Sequence, residues 1–221
     1  MTAEPKVETI EARIAGRYLV HAPVGSAPVP VLVGFHGYGE NAEQHFRELR
    51  RIPGADGWLL VSVQALNRFY GRKTQTVVGS WMTSQDREQM IAHNVAYVDS
   101  VVATVLGEHA TTSTLVYAGF SQGVAMAYRA TIRGRHSASG IIVLAGDVPP
   151  ELRTDASGQW PPVLLARGVN DPYYTQDAMN EDLEFLEKNR APVESVVFDG
   201  THEWHDDVRA AGGRFLERVS R

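Results

Sequence analysis

Short, continuous apolar runs alternate along the chain with segments whose apolar residues recur at helical spacing. Runs of this length are typical of strands buried on both faces of a sheet, and they occupy positions 30–35, 58–63, 115–118, 141–145, 163–166 and 193–198. The clearest helical stripe consists of Ile91, Val95, Val98, Val102 and Val105. This alternation predicts an α/β fold with a mostly parallel sheet and helices on both faces.

The two ends of the chain add further elements. Apolar and polar residues alternate loosely from Val7 to His21 around Gly16, which predicts an antiparallel N-terminal hairpin. A last helix is predicted to begin at Asp206 and to be capped by that side chain. Positions 64–85 follow neither pattern and form the longest irregular stretch that we predict. A loop of that length in a compact domain is usually functional.

Composition narrows the classes of protein that fit. The 221 residues suit one α/β domain spanning positions 1–221, and the net charge of −5 argues against a nucleic-acid partner. Cysteine is absent, which excludes disulfides and a thiolate nucleophile. We expect no stable membrane insertion, because no run approaches about 18 apolar residues. Positions 1–13 lack the apolar core of a signal peptide, so a cytoplasmic protein is expected.

The pentapeptide Gly119-Phe120-Ser121-Gln122-Gly123 follows an apolar strand-like run and opens a helical one. Gly-x-Ser-x-Gly in that setting is typical of a nucleophile elbow, in which a strained turn exposes the serine Oγ. The two glycines relieve crowding around the turn. The motif therefore predicts Ser121 as a nucleophile.

A serine nucleophile needs a base, and the base needs an acid that fixes its tautomer. Asp171 and His202 each follow a predicted strand, in the order Ser, Asp, His that this elbow requires. Asp147 is the alternative acid, because it too follows a buried strand. His205 is the alternative base, although it lies closer to the last helix.

The negative charge of an acyl-transfer transition state requires preorganised N–H donors. We predict the backbone N–H groups of Gln122 and Tyr38, the latter from the loop His36-Gly37-Tyr38-Gly39. The competing interpretation of Gly37-x-Gly39 as a phosphate-binding turn lacks a third glycine and a P-loop lysine. His202 and His205 are three apart rather than four, so no metal site and no cofactor are predicted.

At these motifs the chain resembles the phospholipase/carboxylesterase family of α/β-hydrolases, which includes acyl-protein thioesterases and small carboxylesterases. The resemblance extends from about Val31 to the C-terminus. It implies a single α/β-hydrolase domain without a large lid, and it implies the same roles for Ser121, Asp171, His202, Tyr38 and Gln122. It also implies that Trp81 lies beside the acyl site. Val124, Met82-Thr83 and Thr201 depart from the family pattern, which bears on the substrate rather than on the hydrolytic groups.

Aromatic and apolar residues near the predicted catalytic edge are the candidates for a substrate pocket: Phe69, Tyr70, Trp81, Met82, Tyr173, Tyr174 and Trp204. We expect a small-molecule ester of a short to medium acyl chain as substrate. A thioesterase or a lysophospholipase would use the same groups, and a non-catalytic receptor or interaction module is the alternative of a different class. The sequence leaves open whether the chain forms a homodimer.

Overall fold

Seven strands form one sheet in the computed structural model, which describes residues 4–10, 12–72, 75–154 and 159–221. In sheet order they are β1 (Arg17–His21), β3 (Leu59–Gln64), β2 (Val29–Phe35), β6 (Thr111–Phe120), β7 (Gly140–Leu144), β8 (Val163–Gly168) and β9 (Val193–Phe198). All neighbouring pairs are parallel except β1 and β3. The predicted mostly parallel α/β fold is confirmed.

Helices cover both faces of this sheet. The helices of the described residues are α1 (Ala42–Leu49), α2 (Arg87–Glu108), α3 (Gln122–Arg133), α4 (Pro150–Arg153), α5 (Gln176–Lys188) and α6 (Asp206–Val219), with a 3₁₀ turn at Ala55–Gly57. Residues of α2, α3 and α5 pack with the larger core cluster. Residues of α1 and α6, such as Leu49 and Phe215, pack on the opposite face with Leu32 and Ile142.

The prediction of an antiparallel N-terminal hairpin is wrong in one respect, the identity of the strand that pairs with β1. Of residues 7–21, the structure describes all but position 11, and the one strand there is β1, which pairs antiparallel with β3. Gly16 is not a turn residue. A Cβ at that position would lie 2.1 Å from a ring carbon of Tyr97, so the chain needs glycine there for close packing against α2.

Positions 64–85 also differ from the prediction of an irregular loop. They contain a two-stranded antiparallel hairpin, β4 (Asn67–Tyr70) and β5 (Val77–Ser80), outside the main sheet. β4 is largely exposed and β5 is buried from Val78 to Ser80, so neither strand shows the alternation of a half-buried strand. The hairpin contacts the loop after β2 through a bridge between Glu40 and Gly79.

Two helices bear on smaller expectations. An 18-residue window of α2 has a mean hydropathy of 1.3, so this helix is long and apolar enough to cross a membrane by length and composition alone. Its predicted stripe from Ile91 to Val105 is buried in this fold. α6 begins at Asp206 as predicted, but its cap is His205, whose Nδ1 accepts the Asp207 N–H at 3.2 Å.

The register of the sheet brings the carboxyl ends of several strands to one edge. Phe35 is paired with Gly119, and Gly168 is paired with Phe198. Parallel strands that end together present the loops that follow them on the same side, where ligands bind in open α/β sheets. The loops after β2, β6, β7, β8 and β9 therefore meet at this edge.

Candidate active site

Ser121 occupies a strained turn between β6 and α3. Its φ and ψ are 53° and −121°, a region that costs a non-glycine residue about 1–3 kcal/mol. The Ser121 N–H donates to the Leu144 carbonyl at 2.9 Å, which holds the turn against β7. A Cβ at Gly123 would lie 2.0 Å from the Phe35 carbonyl oxygen, and one at Gly119 would lie 2.4 Å from the Gly123 oxygen. Both glycines of the motif are therefore required by close backbone approach.

The structure brings together the three side chains that the sequence predicts as a triad. Ser121 Oγ lies 2.8 Å from His202 Nε2, and His202 Nδ1 lies 2.9 Å from Asp171 Oδ2. A carboxylate at Asp171 accepts a hydrogen bond from the Nδ1–H of His202. In that tautomer Nε2 carries no proton and can accept a hydrogen bond from the serine hydroxyl. The arrangement can remove a proton from Ser121 and return it to a leaving group.

Asp171 is held in place by the backbone of its own loop. Its side chain is fully buried, and its Oδ1 accepts the N–H groups of Tyr173 and Tyr174 at 2.9 and 3.0 Å. The other carboxylate oxygen is left to His202. A buried carboxylate with this many charge-assisted hydrogen bonds is fixed in both position and orientation.

Two buried side chains that the sequence analysis missed hold the loop around Asp171. Arg167, at the end of β8, donates to the carbonyls of Tyr174 at 3.0 Å and Val169 at 3.1 Å. Asp182, in α5, accepts the Tyr174 hydroxyl at 2.7 Å and also contacts the Arg153 guanidinium. Burial raises the pKa of Asp182 to about 6. The charged Arg167 directly after an apolar strand was the signal available in the sequence.

The loop after β2 presents the second predicted N–H donor. Gly37 N–H donates to the Glu40 carboxylate at 2.8 Å, and Gly39 N–H donates to the Gly79 carbonyl at 3.0 Å. Among the hydrogen bonds of the described residues, the backbone N–H groups of Tyr38 and Gln122 have no acceptor. Two free N–H groups flanking a serine turn are suited to binding a developing oxyanion.

The buried His36 ring holds this loop in place through hydrogen bonds. Its Nδ1 donates to the Gly37 carbonyl at 2.7 Å, and its Nε2 accepts the Ala65 N–H at 3.1 Å. This pattern requires the neutral imidazole. Burial lowers the pKa of His36 to about 4, so the ring stays neutral near pH 7.

Trp81 and the Gln122 side chain join the hairpin to the elbow. The Trp81 N–H donates to Gln122 Oε1 at 2.8 Å, and the Trp81 indole N–H donates to the His36 carbonyl at 2.9 Å. Trp81 is fully buried, with 0% of its surface exposed. It therefore positions the loops around Ser121 and does not line the adjacent cavity.

A cavity of about 460 Å³ opens beside Ser121. Most of its walls come from α3, from the loop after β7 and from the loop of Asp171, with further residues from the start of α2, from α5 and from the loop after β9. The lining residues are Met82, Arg87, Ser121, Gln122, Ala125, Arg129, Ala145, Gly146, Asp147, Pro149, Pro150, Tyr173, Tyr174, Ala178 and His202. Met82, Tyr173 and Tyr174 thus lie where pocket residues were predicted. Sequence analysis missed Arg87, at the start of α2, and Arg129, which lies on α3 two turns after the nucleophile motif.

The remaining predicted pocket residues lie elsewhere. Trp204 lines a second cavity of about 400 Å³ that also includes His202. Phe69 and Tyr70 lie on β4 and are exposed, and the Phe69 ring is 5.7 Å from the ring of Tyr38. Phe69 therefore lies near the loop after β2, and both aromatics are outside the walls of the first cavity.

The alternative acid and base lie in different environments. Asp147 is exposed on the wall of the first cavity, and the structure gives it no hydrogen bond to His202. His205 caps α6 and stacks on Phe198 with a centroid distance of 4.8 Å. Within the part of the chain that the structure describes, no three His, Asp or Glu side chains form a metal-binding group.

A family model described as phospholipase/carboxylesterase matches residues 22–217, which is most of the chain. The chain belongs to the phospholipase/carboxylesterase family. Its members are esterase- and thioesterase-type α/β-hydrolases, so the chain has the fold and family of a hydrolase. A search of curated protein sequences finds no match.

Solved structures of the same fold include esterases and a thioesterase. Esterase PE8 aligns with a TM-score of 0.78 at 19% identity over 93% of this chain and 100% of its own. The Bacillus cereus carboxylesterase gives 0.70 at 15% identity over 92% and 94%. Zea mays acyl-protein thioesterase 2 gives 0.69 at 18% identity over 93% and 99%. At these identities the likeness establishes the α/β-hydrolase fold that the family match implies.

Proposed function

We propose that this protein is a serine carboxylesterase that hydrolyses soluble esters of short to medium acyl chains. The observation that carries the proposal is the continuous chain of hydrogen bonds from Ser121 Oγ through His202 to Asp171, at 2.8 and 2.9 Å. Hydrogen-bond distances of this kind are expected of a base that activates a nucleophile. The adjacent cavity of about 460 Å³ supplies room for an acyl group.

In the proposed reaction, His202 Nε2 takes the proton of Ser121 as Oγ attacks the ester carbonyl carbon. The C–O bond to the alcohol then breaks, and the imidazolium gives its proton to the departing alkoxide. An acyl-enzyme remains on Ser121. Water, deprotonated by the same Nε2, attacks this ester and releases the carboxylic acid and the free serine. Asp171 stabilises the imidazolium in both halves of the reaction.

The tetrahedral intermediates of both steps carry negative charge on the former carbonyl oxygen. We assign the N–H groups of Tyr38 and Gln122 to that oxygen, because both lack an acceptor among the described residues. Gln122 is also the first residue of α3, where the helix dipole favours an anion. Removing one such donor in other serine hydrolases costs about 100- to 1000-fold in kcat.

A thioesterase is the second candidate, since a fold neighbour is named an acyl-protein thioesterase. A thiolate leaves without needing its proton, so the same triad would act on either bond. The rates on an oxygen ester and a thioester with matched acyl groups distinguish the two activities. A non-catalytic module would show turnover of neither substrate.

The direct test is covalent labelling with a fluorophosphonate, followed by peptide mapping. We expect a single adduct on Ser121, and loss of labelling in Ser121→Ala. His205→Ala is the matched control, because it removes a nearby imidazole outside the hydrogen-bond chain, and we expect it to label normally. An adduct on another residue, or no adduct in a folded sample, would contradict the proposal.

A further inference from the structure

One face of α3 runs from the nucleophile turn into the depth of the first cavity. Gln122, Ala125 and Arg129 line the cavity together, and their spacing places them on the same face of the helix. Arg129 is eight residues after Ser121, or roughly 12 Å along the axis at 1.5 Å per residue. Side chains tilt towards the N-terminus of a helix, so the Arg129 side chain reaches back towards Ser121.

The Arg129 guanidinium is buried and incompletely paired. Its side chain is 1% exposed, and its Nε donates to Glu151 Oε1 at 2.7 Å. Its Nη1 has no hydrogen-bond partner among the described residues. An unsatisfied buried donor on a charged group is uncommon and calls for a specific explanation.

A second arginine belongs to the same wall. Arg87, at the start of α2, lines the cavity and lies 3.4 Å from Glu151 Oε2. One carboxylate is therefore shared by two guanidinium groups, which leaves one positive charge without a counterion within this trio. Asp147 also lines the cavity, but it is exposed to solvent, where its charge is screened more than the charge of Arg129.

An apolar acyl chain in this cavity would cover Arg87 and would leave the buried Nη1 of Arg129 without an acceptor, which is unfavourable for buried charge. A carboxylate accepts hydrogen bonds from guanidinium groups with strong, directional geometry. We propose that the substrate is an ester that also carries a carboxylate, which is bound by Arg129 and Arg87 while the ester lies at Ser121. This proposal rests on the serine esterase function proposed above.

The test compares esters that differ in charge alone. Monomethyl glutarate and its neutral isostere methyl 4-carbamoylbutanoate place a carboxylate or an amide at the same distance from the ester, and acid release measures their hydrolysis. We expect kcat/KM to be about 10- to 100-fold higher for the carboxylate, the range for hydrogen bonds to a charged group. Monomethyl succinate, adipate and suberate then show at which spacing the preference is greatest. The acetate ester of 3-hydroxypropanoate tests a carboxylate on the alcohol side.

Variants locate the preference. Arg129→Gln and Arg87→Gln should each lower the carboxylate-to-amide ratio towards one, and Arg129→Lys should keep part of the ratio. Arg135→Gln is the matched control, because that arginine is 86% exposed and lies outside the cavity. Asp147→Asn should raise the rate on the carboxylate ester, since it removes a negative charge from the same wall.

Binding to the Ser121→Ala protein separates this inference from the proposed function. We expect monomethyl glutarate to bind more tightly than the amide isostere, and Arg129→Gln to abolish the difference. If that difference is present while no ester is hydrolysed by the unmodified protein, the esterase proposal fails and the carboxylate site stands. Equal binding and equal turnover of the two esters would overturn the carboxylate site while leaving the esterase proposal intact.

Discussion

Two cavities include His202 in their walls, and they differ in what else lies there. The first, about 460 Å³, also contains Ser121 and Gln122. The second, about 400 Å³, contains Phe120 and Trp204, with charged residues of α1 and α6 around them. Nε2 of His202 lies 2.8 Å from Ser121 Oγ. This nitrogen is therefore directed at the serine in the wall of the first cavity. The two hydrogen-bond partners of His202, and not its place in a cavity wall, are what suit it to act as a base.

The test with the largest expected effect replaces, one at a time, the two histidines that follow β9. We expect His202→Ala to lower kcat/KM for an ester by about 10⁵-fold, because the nucleophile loses its base. His205→Ala should stay within about threefold and should lower the free energy of unfolding by about 1 kcal/mol, the cost of a lost helix cap. Ester hydrolysis and urea unfolding measure both. Comparable loss of activity in the two variants would break the distinction.

The next test concerns the two carboxylates after β7 and β8. Asp171→Asn should lower kcat by about 10⁴-fold, because an amide no longer holds the imidazole in the required tautomer. Asp147→Asn removes a carboxylate that does not contact His202, and kcat on a neutral ester should change by less than about threefold. If Asp147→Asn proved the more damaging, the acid assignment would have to be exchanged.

Two buried histidines, His36 under the loop after β2 and His45 beside the second cavity, have charge states that affect stability. Burial lowers the pKa of His36 to about 4 and that of His45, which lines the second cavity, to about 3. In the unfolded chain both titrate near 6.5. The stability that comes from keeping them neutral is therefore complete above pH 6.5 and is lost as the pH falls towards 4 and 3. At pH 5 the contribution of each histidine to the free energy of unfolding is lower by about 2 kcal/mol.

Asp182 acts in the opposite direction, because burial raises its pKa to about 6 and protonation then favours the folded state. The contribution of His45 is therefore measured as the difference in pH dependence between the unmodified protein and a His45 variant. We expect the free energy of unfolding to fall less between pH 7 and pH 5 in His45→Gln than in the unmodified protein, by about 2 kcal/mol. Asp182 contributes equally to both proteins. Identical pH dependence would show that His45 is not buried as described.

The smallest expected effect concerns substrate length. Met82→Ala enlarges the first cavity, and we expect the ratio of kcat/KM for a pentanoate ester to that for an acetate ester to rise about fourfold, the effect of burying one further methylene group. Trp204→Phe alters the second cavity and should leave the ratio unchanged. A shift of the ratio by Trp204→Phe would show that the acyl group enters the second cavity.

Much of this architecture was predictable from local patterns. The continuous apolar runs became the parallel strands, because a strand buried on both faces has no polar positions to alternate. The elbow was predictable because Gly119 and Gly123 have short-range steric reasons to be glycine. The hairpin β4–β5 was missed, since exposed residues such as Arg68 and Tyr70 carry no burial pattern. The partner of β1 was missed because pairing between distant strands leaves no local signal.

Local sequence patterns were sufficient to predict the order of strands and helices, the serine turn, and the chain order of the proposed nucleophile, acid and base. These features depend on steric and hydrophobic preferences of neighbouring residues. The tertiary structure decided which acid and which histidine approach Ser121, that Trp81 is buried as a support, and that Arg129 and Arg87 meet at Glu151 beside the nucleophile. Those contacts join residues far apart in sequence, and only the register of the sheet and the packing of helices on it fix their distances.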